Sequence, residues 1–122
     1  MKRFSQNSEM LDLSVIIVNL NTKKLTLDCI KSVLTEGSGV KKEIIVVDNG
    51  SSDGSVEALR RLKKEKKIEL IENSGNFGYA KANNQGIRRS KGKYLLLLNN
   101  DTLVKKGALG VLVDFAKKAP DA

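Results

Sequence analysis

Short, uninterrupted runs of apolar and β-branched residues recur along this chain, and a helical pattern follows each one. Residues 13–19 read LSVIIVN and residues 43–48 read EIIVVD. Neither run alternates polar with apolar, as a strand open to water on one face would, so both predict strands buried on both faces. Residues 68–72 and the KYLLLL run at 93–98 predict two more. Between the first two, residues 23–36 predict a helix with Leu27, Ile30, Val33 and Leu34 on one stripe, Asn21 or Thr22 as its N-cap, and Gly37 and Gly39 ending it. The turn Asn49–Ser55 is crowded with chain-reversing residues, and its Asp53 is placed to cap a helix carrying Val56, Leu59 and Leu62. A Gly- and Asn-rich loop at 73–78 leads into a helix ending near Ser90. A last helix spans about 106–118, before the single proline, Pro120. The order βαβαβαβα gives an α/β fold with a mainly parallel sheet and helices on both faces. At 122 residues there is material for one core. It spans 13–122, behind a polar lead-in at 1–12.

Histidine is absent. Imidazole-based triads and HExxH zinc sites are excluded, and chemistry must rest on carboxylates, Lys, Tyr or an oxygen-bound metal. Cys29 is alone and sits in a helical pattern, so it reads as a small buried hydrophobe rather than half of a disulfide. The first ten residues lack the apolar segment of a secretory signal, and the longest apolar runs are too short to cross a bilayer. The expected compartment is the cytoplasm. The net charge of +8 falls largely in pairs such as Arg60-Arg61, Lys63-Lys64 and Arg88-Arg89 at helix ends. That placement suits helix dipoles and solubility; a peripheral contact with the inner face of a membrane stays open. Gly75-Asn76-Phe77-Gly78 fits the G-x-x-G clamp of an RNA-binding module, but that loop joins two helices and here a strand precedes it. No nucleic-acid partner is expected.

In parallel α/β folds, ligands bind beyond the carboxyl ends of the strands. Those exits are Asn19-Leu20-Asn21, Asp48-Asn49, Glu72-Asn73 and Asn99-Asn100-Asp101, and every one is rich in amides or carboxylates. The first exit has no G-x-G-x-x-G and the chain has no GxxxxGK[ST], so a dinucleotide enzyme and a P-loop ATPase are both disfavoured. A divalent cation bridging two phosphate oxygens needs only one or two carboxylates, and Asp101 is placed to supply one.

Taken together, the segments Ser14–Asn19, Ile44–Ser55, Asn76–Gly86 and Tyr94–Thr102 resemble, in order, the opening of the family 2 glycosyltransferases. The resemblance runs over roughly 13–118. It implies a Rossmann-like GT-A fold and sugar transfer from a nucleotide-diphospho-sugar to a saccharide or lipid-linked acceptor, as in cell-envelope polysaccharide biosynthesis. It implies that Asp48 contacts the nucleotide base and that Asn19 and Asn21 line the nucleoside pocket. Asn76, Gly78, Asn83 and Asn84 lie beside the donor, and Asn99-Asn100-Asp101 takes the D-x-D position, with Asp101 holding Mg2+ or Mn2+. Asn99 replaces the first aspartate of that motif. The runs Asn99–Thr102 and Gly78–Asn84 are similar to the rhamnosyltransferase-like branch, which favours a dTDP-sugar beside a UDP-sugar. A nucleotidyltransferase would open with a Gly-rich, basic loop after the first strand, and none is present. No residue matches the family's catalytic base, so the chain is expected to be the donor-binding half, prone to self-association. A non-catalytic nucleotide-binding or interaction domain is the alternative.

Overall fold

The computed structural model describes residues 10–119, so the nature of residues 1–9 falls outside it. The elements run β1 (Leu11–Asn19), α1 (Lys23–Leu34), β2 (Lys42–Asp48), α2 (Ser55–Lys64), β3 (Glu69–Glu72), α3 (Tyr79–Arg89), β4 (Gly92–Leu97) and α4 (Ala108–Lys118). All strand pairs are parallel, in the order β3-β2-β1-β4. The chain therefore builds outward from β1 to β3, then returns to place β4 on the other side of β1. That reversal is the topological switch at which α/β folds open a binding crevice.

The uninterrupted apolar runs occupy the two central strands, whose side chains are covered on both faces. Leu13, Val15 and Ile17 pack with Ile30 and Val33 of α1, Leu59 of α2 and Leu109 and Val113 of α4 on one face. On the opposite face Ile16 meets α3 so closely that a Cβ built on Gly86 would stand 2.6 Å from Ile16 Cγ2. Helices α1 and α2 on one face and α3 on the other is what right-handed crossovers give when the building direction reverses.

Four expectations need adjustment. Leu11 and Asp12 belong to β1 rather than to a lead-in: Leu11 pairs with Gly92, and Asp12 N–H donates to Lys41 O at 2.8 Å. Helix α1 stops at Leu34, because Glu36 turns inward. It is buried, accepts Leu109 N–H at 3.1 Å and Ser38 N–H at 3.0 Å, and so anchors the start of α4. Burial pushes the Glu36 carboxyl up, but the Ser38 hydroxyl and the two backbone donors outweigh it and hold the group below its ordinary value. Helix α4 begins at Ala108, not near 106. The segment before it runs down α1, with Val104 N–H on Ser32 Oγ at 2.9 Å and Gly107 N–H on Glu36 O at 2.7 Å. Neither Asn21 nor Thr22 caps α1 with its side chain. Asp53 does, accepting Lys23 N–H at 3.0 Å together with Ser55 N–H at 3.0 Å, so one carboxylate holds the first turns of α1 and α2.

Gly86→Ala should destabilise the fold by about 1–3 kcal/mol, the scale for forcing a methyl group into a filled core. Urea unfolding that shows no loss would contradict the helix–sheet approach described above. The Asp53 carboxyl is held below its ordinary value, first by the Ser55 hydroxyl and then, against a small opposing effect of burial, by backbone N–H groups. A depressed folded-state pKa contributes stability above the unfolded value near 4, and the contribution is lost as pH falls through the folded value. Asp53→Asn should therefore lower the melting temperature at pH 7, and the difference should shrink as the pH falls below the unfolded value and through the folded one.

Candidate functional site

An open cleft of about 460 Å³ lies beyond the carboxyl ends of β1 and β4, at the switch point. Val18, Leu20 and Thr22 line it from the β1 exit. Asn76, Gly78 and Tyr79 come from the loop entering α3, and Asn99, Asn100 and Asp101 from the β4 exit, with Asn49 at the base. The N-terminal residues of two helices face this space, Thr22 before α1 and Gly78 before α3. Gly78 sits at φ +87°, a conformation a side chain would strain, so glycine here lets the loop turn directly into the helix.

Beneath the cleft lies a buried polar hub. Asn19 Nδ2 donates to Asp48 Oδ1 at 2.7 Å and to Ser51 Oγ at 3.1 Å, while its Oδ1 accepts the Thr22 and Thr26 hydroxyls at 2.9 and 2.7 Å. Its four hydrogen-bonding positions are all used. Asn100 Nδ2 donates in turn to Thr22 Oγ1 and to Thr26 Oγ1, the latter at 3.1 Å. The exits of β1, β2 and β4 are thereby locked together. Asp48 itself accepts Gly50 N–H at 3.1 Å, Ser51 N–H at 2.8 Å and the Ser51 hydroxyl at 2.7 Å. A second relay fixes Asn49: Gln85 and Asn73 exchange amide bonds at 2.8 and 2.9 Å, and Asn73 Nδ2 donates to Asn49 Oδ1 at 2.9 Å.

The ten residues singled out from sequence thus separate. Asn76, Gly78, Asn99, Asn100 and Asp101 line the cleft. Asn19 and Asp48 are fully buried below it, where they support the floor. The reason is local: an Asp two and three residues before free backbone N–H groups closes the turn on itself. Asn21, at φ +53°, accepts Ser52 N–H at 2.7 Å and stands away from the cleft wall. Asn83 is buried against the sheet with its Nδ2 on Tyr79 O, and Asn84 is exposed on the outer side of α3. Asn49, Thr22 and Tyr79 were not singled out. Tyr79 lines the cleft, and its hydroxyl donates to Asn99 Oδ1 at 3.1 Å.

Electrostatically the cleft is nearly neutral. Its lining holds one carboxylate, Asp101, among amides and hydroxyls. Of the other carboxylates near the strand exits, Asp48 is saturated, Asp53 caps two helices, and Glu72 is gripped by Arg60 at 2.7 and 2.8 Å. That grip draws the Glu72 carboxyl below its ordinary value against the opposing effect of burial. Cys29, below the β4 exit, is buried as expected, with its thiol 3.8 Å from Asn99 O. Burial, then the negative charge of Asp101, push that thiol up to about 11. It is inert as a nucleophile. Among the described residues no group of three or more His, Cys, Asp or Glu is gathered to hold a metal unaided.

A cleft of this kind at the switch point of a parallel sheet is where α/β domains bind their ligands. Residues 14–122 match the family model described as glycosyl transferase family 2, and the chain belongs to that family. Poly-β-1,6-N-acetyl-D-glucosamine synthase of Staphylococcus epidermidis is 28% identical over 116 residues, covering 95% of this chain and 28% of the relative. The chain thus spans little more than a quarter of that protein's length. Of solved structures, S. aureus TarS 1–349 in complex with UDP superposes with a TM-score of 0.76 at 22% identity, over 88% of this chain and 32% of that one. The mannosyltransferase PcManGT from Pyrobaculum calidifontis, in complex with GDP-Man and Mn2+, gives 0.67 at 26% identity, over 76% and 28%. The GT-A α/β fold is the one these neighbours share.

Asn19→Ala should destabilise the domain by about 2–3 kcal/mol, because it strips a partner from buried Asp48 and from Thr26 at once. It should also loosen the β4 exit. Hydrogen exchange at residues 99–101 that stays unchanged would show that the hub does not hold this rim.

Proposed function

We propose that this cleft binds the donor of a glycosyl transfer, a nucleotide-diphospho-sugar, with Asp101 as the protein ligand of the divalent cation on its diphosphate. The observation that carries the reading is the isolation of Asp101. Asn99 and Asn100 at the same exit are committed to Tyr79, Thr22 and Thr26, whereas Asp101 is exposed on the cleft wall. One carboxylate with phosphate oxygens and water is an adequate shell for Mg2+ or Mn2+. The cation, when bound, would neutralise charge on the leaving diphosphate. The chain's own residues bind and orient. The N-termini of α1 and α3 face the anionic group, the Asn76, Asn99 and Tyr79 side chains offer donors and acceptors to ribose, base or sugar, and Val18 and Leu20 give an apolar floor. UDP and dTDP are both admissible, and the Mn2+ complex of PcManGT and the UDP complex of TarS support this ligand class. Asp48 and Asn19 act on the ligand only through the turn and loop they hold. Asn21, Asn83 and Asn84 take the same indirect place at the rim and in α3. We place the domain in the cytoplasm, where sugar nucleotides are made available to such enzymes.

The acceptor base is not among the cleft residues. Every carboxylate near the strand exits except Asp101 is engaged within the protein, and a cation-bound carboxylate cannot take a proton from an acceptor hydroxyl. Chain ending at Ala122 should therefore bind donor and give no turnover with any acceptor. Glycosylated product from the purified chain would overturn this assignment. Leu95 and Leu97 lie exposed on the face of β4 that α3 leaves uncovered. They favour self-association of the isolated chain, which sedimentation should detect.

Calorimetry tests the donor site. Mn2+ should strengthen UDP or dTDP binding, and Asp101→Asn should remove most of that gain, about 10- to 100-fold on the scale of 1.5–3 kcal/mol for a charged contact. Uridine or thymidine affinity should survive the substitution. Equal diphosphate affinity with chelator and with Mn2+ would exclude the metal role.

A further inference from the structure

The topology gathers cationic side chains at the end of the domain opposite the cleft. In a parallel sheet the strands start at that end, and α1, α2 and α3, running antiparallel to the strands, finish there. The last turns of these helices carry Lys31, then Arg61, Lys63 and Lys64, then Arg88 and Arg89. The strand starts and the turns before them add Lys41 and Lys42, Lys66 and Lys67, and Lys91 and Lys93. All but Lys42 are exposed. The acids at this end do not balance them. Glu36 lies 4.0 Å from Lys42 and Glu65 pairs with Lys67 at 3.4 Å, leaving Glu43, Asp12 and Glu69 against the remaining cations. Helix dipoles account for one cation per helix end. They do not account for three on α2, nor for Lys41, Lys66 and Lys91, which lie outside any helix.

The same end carries apolar surface. A groove lined by Leu27, Ile30, Leu34 and Leu62 opens between α1 and α2, with Lys31 and Lys67 on its rim. We infer that this basic end is a docking surface for a bilayer rich in anionic lipid, with the cationic side chains on the headgroups and the Leu34–Leu62 groove at the interface. The charges come from the ends of many elements spread over one end of the sheet, and among the described residues no helix or hairpin projects as a nucleic-acid groove reader would. Of the exposed aromatics, Phe77 and Tyr79, which could stack on bases, belong to the opposite end, and Phe115 lies on α4. Strand β1 separates the two ends by roughly 30 Å, several Debye lengths at physiological salt, so Asp101 and its neighbours do not cancel the field. Docked this way, the domain holds its cleft open to the aqueous side.

Vesicle co-sedimentation of the full chain tests this. It should bind phosphatidylcholine vesicles containing 30% phosphatidylglycerol, ignore pure phosphatidylcholine, and be released at 0.5 M NaCl. Lys41→Glu, Lys63→Glu and Lys64→Glu together should weaken binding more than about 100-fold, at about fivefold per basic residue near an anionic surface. Lys23→Glu, Lys24→Glu and Lys81→Glu, equal in charge but at the cleft end, should cost far less. Circular dichroism checks both variants, and the corresponding Lys→Gln set replaces the first if it fails to fold. Equal losses from the two ends, equal binding to neutral vesicles, or displacement from vesicles by stoichiometric polyuridylate would each overturn the inference. UDP affinity, measured separately, reports on the cleft and not on this surface.

Discussion

The rest of the site depends on one buried amide. Asn19 ends β1 and spends both donors on Asp48 and Ser51 and both acceptor positions on Thr22 and Thr26. In a low-dielectric interior such a network is strong when complete and costly when one partner is missing. It also has a direction. Because Asp48 can only accept, the Asn19 amide must point its NH2 group towards it. The two threonine hydroxyls must then donate to Asn19 and accept from Asn100. The orientation of a side chain on the cleft wall is set by a carboxylate two strands away. A buried charge is an expensive way to achieve this, but four donors on Asp48 offset much of its lost hydration.

This hub explains why the fold was more legible than the site. Strand positions follow from apolar runs, because a strand buried on both faces admits few other residues, and β1 and β2 are such strands. Their ends are harder. Leu11 and Asp12 join β1 through pairing with Gly92 and Lys41, partners distant in sequence that a local pattern does not announce. Likewise, Glu36 reads as one more helical position until its partner at Leu109 is known. At the site, residue type picked out the strand exits but not which way each side chain turns. Asp48 and Asn49 are adjacent at a strand exit, and side chains alternate across a strand. The turn at Gly50-Ser51 captures the first, and the relay from Gln85 and Asn73 leaves the second at the cleft base. Tyr79 was missed for a related reason: a tyrosine at the first position of a helix reads as packing unless the loop before it is known to face a cavity.

The same parallel topology orders charge as well as shape. The N-termini of α1, α2 and α3 share one end of the molecule with the strand exits, and their C-termini share the other with the strand starts, where α4 begins beside Glu36. At the first end free backbone N–H groups and a single exposed carboxylate meet over a small cleft, an environment that favours a phosphate group and a cation together. Among the described residues no lysine lines the cleft: Lys23 and Lys24, at the same end, lie on α1, and Lys81 sits 5.3 Å from the Phe77 ring. A cleft crowded with lysines would hold a diphosphate without a metal and would also hold the product. On the proposed reading, placing the cations at the far end would leave the diphosphate dependent on an exchangeable ion, whose loss would release it. The separation of the two ends by the length of the sheet would then serve the proposed donor site at one end while it sets the basic surface apart at the other.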